Sequence, residues 1–134
     1  MDKEFTMLKG KEIIVGITGG IAAYKTAELV RELTKKGANT HVVMTKNAME
    51  FVTPLTFQTI SGNPVIHEMF ELFRGSKIGH IALSDIADQM VIVPATANII
   101  GKIANGIADD FLTTMAMATT VPILFEIGRA SCRE

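Results

Sequence analysis

No tryptophan occurs among the 134 residues, and Cys132 is the only cysteine. A single cysteine excludes a disulfide framework within the chain and a cysteine-based zinc site. An excess of either charge is also lacking. Thirteen Lys and Arg face fourteen Asp and Glu, for a formal net charge of −1. That balance offers no basic face to nucleic acid and no polybasic run to an anionic membrane. No apolar run reaches the ~18 residues of a membrane-spanning helix. The opening MDKEFTMLKG carries Asp2 and Glu4 and lacks the apolar stretch of a secretory signal. A cytoplasmic, reducing setting is the expectation. Neither H-E-x-x-H, nor G-x-S-x-G, nor paired-carboxylate spacing occurs, so those hydrolytic chemistries have no motif behind them. No metal site is expected.

The composition present is that of a globular domain, with 48% hydrophobic and 20% charged residues. Glu12–Ile17 is a nearly continuous apolar run, the signature of a strand buried on both faces of a parallel sheet. A turn at Thr18-Gly19-Gly20 follows, and the spacing predicts a helix over 21–36. Its buried face is expected at Ala22, Leu29, Val30 and Leu33, and Gly37 stops it. Thr40–Met44 reads as a second strand, completing a unit the size of one βαβ crossover. Further helices are expected at 47–51, from Pro54 to Ser61, from His80, over 97–104, and from Asp109-Asp110 to Ala118. Met90–Val93 and Val121–Phe125 read as strands, and Arg74–Lys77 as a loop. Strands alternating with helices imply an α/β fold with a mostly parallel sheet.

Three segments could carry chemistry. Thr18-Gly19-Gly20-Ile21 joins a strand to a helix start, where glycine allows close approach and the helix N-terminus attracts an anion. The dinucleotide pattern G-x-G-x-x-G is absent, because Gly16, Gly19 and Gly20 are wrongly spaced. Thr45-Lys46 also stands where a ribose-binding acid would be expected. A mononucleotide phosphate suits the turn better than NAD; a plain tight turn is the bland alternative. Pro94-Ala95-Thr96-Ala97-Asn98 follows another strand, so it lies on the same carboxyl edge of the sheet. Ordinary N-capping by Thr96 is the competing account there. Of the three histidines, His41 sits in a predicted strand as a structural residue and His67 as an exposed one. His80 opens a helix and is the candidate for a cleft. Asp85, Asp88, Asp109 and Asp110 read as caps and solvent-facing acids.

Gly16–Lys25, Thr53-Pro54-Leu55, His80–Leu83, Pro94–Asn98 and Ala104–Asp110 occur in one order. Together they resemble the homo-oligomeric flavin-containing cysteine decarboxylases over residues 8–125. The resemblance implies a Rossmann-like, doubly wound, three-layer α/β/α fold with FMN bound between the subunits of a trimer. It implies cofactor contacts at Gly19, Gly20, Ile21, Thr45, Thr96, Ala97 and Asn98, and a catalytic role for His80. The branch it resembles most converts 4′-phosphopantothenoylcysteine to 4′-phosphopantetheine in coenzyme A biosynthesis. Peptidyl-cysteine decarboxylation, flavin prenyl transfer and a non-enzymatic flavin-binding regulatory role are the alternatives. At Glu126 the pattern departs, where the family has a Pro-Ala-Met-Asn loop and then a flap with a reducing cysteine. Residues 126–134 resemble the translation of a sequencing adaptor. They are expected to be read-through, leaving Cys132 without a function and the 134-residue chain inactive alone.

Overall fold

The computed structural model describes residues 7–68 and 80–127, with the side chains of residues 80–82 outside the description. The loop expected at Arg74–Lys77 and residues 128–134 of the tail lie outside the described residues.

Four parallel strands form one sheet in the order β2-β1-β3-β4. They are β1 (Glu12–Ile17), β2 (Asn39–Met44), β3 (Gln89–Ile92) and β4 (Ile123–Phe125). Among the described residues the helices are α1 (Ala23–Lys35), α2 (Pro54–Ser61), α3 (His80–Ile86), α4 (Ala97–Ala104) and α5 (Phe111–Ala118). A single 3-10 turn at Ala48–Glu50 stands where a short helix was expected.

The pleat explains why β1 is apolar throughout. Ile13, Val15 and Ile17 join Ala23, Val30 and Phe57 on the α1–α2 face. Ile14 joins Met90, Ile92, Ile99, Phe111, Leu112 and Met115 on the opposite face, where α4 and α5 pack. Helices thus cover both faces of the sheet, the doubly wound arrangement that the family resemblance implies; the alternation of strands and helices points to the parallel sheet itself.

Gly16 is where β1 meets α5: a Cβ there would lie 2.5 Å from Leu112 Cδ1. Gly62 closes α2 in the left-handed region at φ 75°, a conformation glycine enters without penalty. Asp110 caps α5 through a reciprocal box, its carboxylate accepting from the Thr113 N–H at 2.7 Å.

The buried face of α1 differs from the expected one. Ala23, Thr26 and Val30 are buried, while Ala22, Leu29 and Leu33 are only partly covered. Thr26 can point inward because its hydroxyl donates to the Val93 carbonyl at 2.9 Å, which removes the cost of burying it. The helix also begins at Ala23 rather than at residue 21, because the Ala23 N–H still closes a turn onto the Gly20 carbonyl at 2.9 Å.

Candidate functional site

The chain leaves β1 toward β2 on one side of the sheet and reaches β3 on the other. The turns after β1 and β3 therefore separate, and ligands of open α/β sheets bind at such a switch point, outside the strands' carboxyl ends. A cleft of about 310 Å³ opens there. Thr18 and Gly19 line it from the first turn, and Thr45, Lys46 and Asn47 from the turn after β2. Thr96, Asn98 and Lys102 come from the start and last turn of α4, and Asp109 and Asp110 from the approach to α5.

Each turn has a local cause. The Gly20 N–H folds back onto the Thr18 carbonyl at 3.0 Å. The N–H groups of Gly19 and Ile21 have no acceptor among the described residues. Ala22, at the N-cap of α1, supplies no side-chain cap, so the positive end of that helix is also left open. After β2, the Thr45 hydroxyl accepts from the Ala48 N–H at 3.2 Å and rounds the chain into the 3-10 turn. After β3, Thr96 caps α4, its hydroxyl accepting from the Ile99 N–H at 3.3 Å. The capping account of Thr96 is therefore correct, and the same residue lines the cleft.

The charges are arranged unequally. Lys102 Nζ lies 3.0 Å from the Asp109 carboxylate, so that cation is paired. Lys46 has no partner among the described residues, nor do the side-chain amides of Asn47 and Asn98. The cleft thus offers backbone donors, hydroxyls, two amides and one uncommitted cation, a set suited to an anionic, hydrogen-bonding guest. Among the described residues no cluster of three or more His, Cys, Asp or Glu is placed to hold a metal ion.

Of the residues singled out from sequence, Gly19, Thr45, Thr96 and Asn98 line one cleft. Gly20, Ile21 and Ala97 stand beside it without forming its wall, and Ile21 is 63% exposed. His80 opens α3, and its side chain lies outside the description. His41 is structural as expected: its Nε2 sits 2.8 Å from Glu12 Oε2, toward the amino ends of β1 and β2. His67 is half-buried rather than exposed, because the preceding Ile66 bridges to Val43 beside the sheet. Lys46, Asn47, Lys102 and the cleft-facing role of Asp109 and Asp110 were missed. Asn98 and Lys102 are four apart and share one face of α4, a signal available from the sequence.

The Flavoprotein family matches the chain over residues 1–126. The coenzyme A biosynthesis bifunctional protein CoaBC of Vibrio vulnificus is 48% identical over 116 residues, covering 87% of this chain and 29% of that protein. CoaBC of Haemophilus influenzae is 51% identical over 116 residues, with the same 87% and 29% coverage. The chain spans less than a third of the length of these curated relatives. Among solved structures, the FMN-dependent cysteine decarboxylase SpaF matches with a TM-score of 0.77 at 31% identity, over 87% of this chain and 67% of that one. A PPC decarboxylase variant complexed with pantothenoylaminoethenethiol matches with a TM-score of 0.68 at 30% identity, over 84% and 64%.

Proposed function

This chain belongs to the Flavoprotein family, and from that premise we propose that it forms the FMN-binding part of a decarboxylase acting on 4′-phosphopantothenoylcysteine. The observation that carries the reading is the convergence of three polar turns on one cleft at the sheet's switch point. The 48% identity to a coenzyme A biosynthesis protein supports the choice of substrate. The likeness to FMN-dependent cysteine decarboxylases supports the choice of cofactor.

The residues present fit the cofactor. Among the described residues the N–H groups of Gly19 and Ile21 and the ammonium of Lys46 have no partner, and with the uncapped start of α1 they suit a phosphate. Thr45, Thr96 and Asn98 offer hydroxyl and amide partners to the rest of the nucleotide, with Gly20 and Ala97 as small neighbours allowing close approach. A bound flavin would supply the two-electron oxidation of the cysteine thiol to a C=S group β to the carboxylate, which lets carbon dioxide leave, and the matching two-electron reduction that restores the thiol, so that the reaction is redox-neutral overall. His80, at the first residue of α3, would hold or move the proton at the substrate thiol. The protein would act as a cytoplasmic homo-oligomer built on trimers. The exposed apolar side chains of Ile21, Tyr24, Phe51 and Leu55 support self-association. Among the described residues no helix is long and apolar enough to cross a membrane. The same reading assigns residues 1–125 to the flavin-binding domain and sets 126–134 apart from it.

Turnover assayed by mass spectrometry tests the substrate. The full-length protein encoded with this domain should convert 4′-phosphopantothenoylcysteine and leave a peptide with a C-terminal cysteine unchanged. The opposite preference would move the assignment to peptidyl-cysteine decarboxylation.

A further inference from the structure

We propose that Thr18 is the positioning residue of the cleft, the hydroxyl that couples the glycine turn after β1 to the turn after β3. Its consequence for flavin affinity rests on the reading above. The β1–β3 ladder runs to the Gly16↔Ile92 pair, and the Val93 N–H still donates to the Gly16 carbonyl at 2.8 Å. Beyond that point the two strands part, and side-chain hydroxyls take over from the backbone. Thr26 donates to the Val93 carbonyl at 2.9 Å. Thr18 donates to the next carbonyl, that of Pro94, and accepts from the Thr96 N–H at 3.3 Å.

Thr18 is 3% exposed and Thr26 is 1% exposed, so water does not compete for these bonds. A hydroxyl that donates and accepts at once is fixed in rotation, and it fixes both partners. The Thr96 held by Thr18 is also the cap of α4. Through it, the Thr18 hydroxyl sets where α4 begins and therefore where Asn98 and Lys102 meet the cleft. Valine has the shape of threonine without the hydroxyl, so Thr18→Val leaves the Pro94 carbonyl and the Thr96 N–H without that partner while keeping the packing.

Two readouts test the coupling in the full-length protein of the turnover assay. Amide hydrogen exchange at Thr96 needs no ligand, and titration with FMN, followed by flavin fluorescence, reports the cleft. Thr18→Val should speed Thr96 exchange about tenfold and weaken FMN binding about tenfold, the size of one lost buried hydrogen bond. Thr18→Ser should restore both. If the valine variant does not fold, Thr18→Ala against Thr18→Ser gives the same contrast. Wild-type exchange and affinity in a variant without the hydroxyl would overturn the proposal, as would a serine variant as impaired as valine. Failure of the wild-type chain to bind FMN would overturn the flavin reading instead, and the exchange measurement would then decide the coupling by itself.

Discussion

Gly19 lies against Asn47 so closely that a Cβ on Gly19 would overlap the Asn47 Cβ and stand 3.0 Å from its carbonyl carbon. The turn after β1 and the turn after β2 can share one wall of the cleft only because residue 19 has no side chain. Gly20 is different: a Cβ there would meet Pro94 Cγ at 3.5 Å, an ordinary contact. Gly19→Ala should therefore weaken FMN binding about tenfold or more, some ~1.4 kcal/mol. Gly20→Ala should change it far less. Parallel titrations check the contrast, and equal losses would mean that the Gly19–Asn47 approach does not shape the site.

Gly16→Ala should act on stability. Its Cβ would press on Leu112, which is 1% exposed and has little room to turn away. Overpacking of this kind costs about 1–3 kcal/mol. Urea denaturation should show that loss, and adding Leu112→Ala should make Gly16→Ala cheaper than it is in the wild-type background.

Asp110→Ala removes the carboxylate that caps α5 and accepts from the Thr113 N–H, while the residue 110 N–H can still donate to the Thr113 hydroxyl. A loss of about 1 kcal/mol is expected from urea denaturation, with Asp110→Asn losing less. Because Asp110 also lines the cleft, FMN titration of the same variants will show whether the cap supports binding.

His80→Asn keeps a polar side chain but gives up proton exchange near neutral pH. The full-length variant should retain FMN and lose release of carbon dioxide from 4′-phosphopantothenoylcysteine. Wild-type turnover would return His80 to a purely structural role.

The strands were legible because burial on both faces leaves few residue types to choose from. β1 falls at Glu12–Ile17 as read, and α2 runs from Pro54 to its glycine stop as read. The inward face of α1 was not, because periodicity counts apolar residues and Thr26 is buried by virtue of a bond to Val93, 67 residues away. The cleft divided in the same way. Gly19 and Thr96 stand at strand–helix junctions, which sequence marks. Lys46 and Lys102 look like any solvated lysine until the fold brings the turn after β2 and helix α4 to one cleft. Thr18 looked like part of a glycine turn, and only its bonds to Pro94 and Thr96 show what it joins.

A crystal structure of the protein grown with FMN tests the central claim most directly. The flavin nucleotide should lie in the cleft between residues 18–20, 45–47 and 96–98, with its phosphate against the Gly19 turn and the start of α1. FMN bound elsewhere, with these three turns empty, would contradict the account.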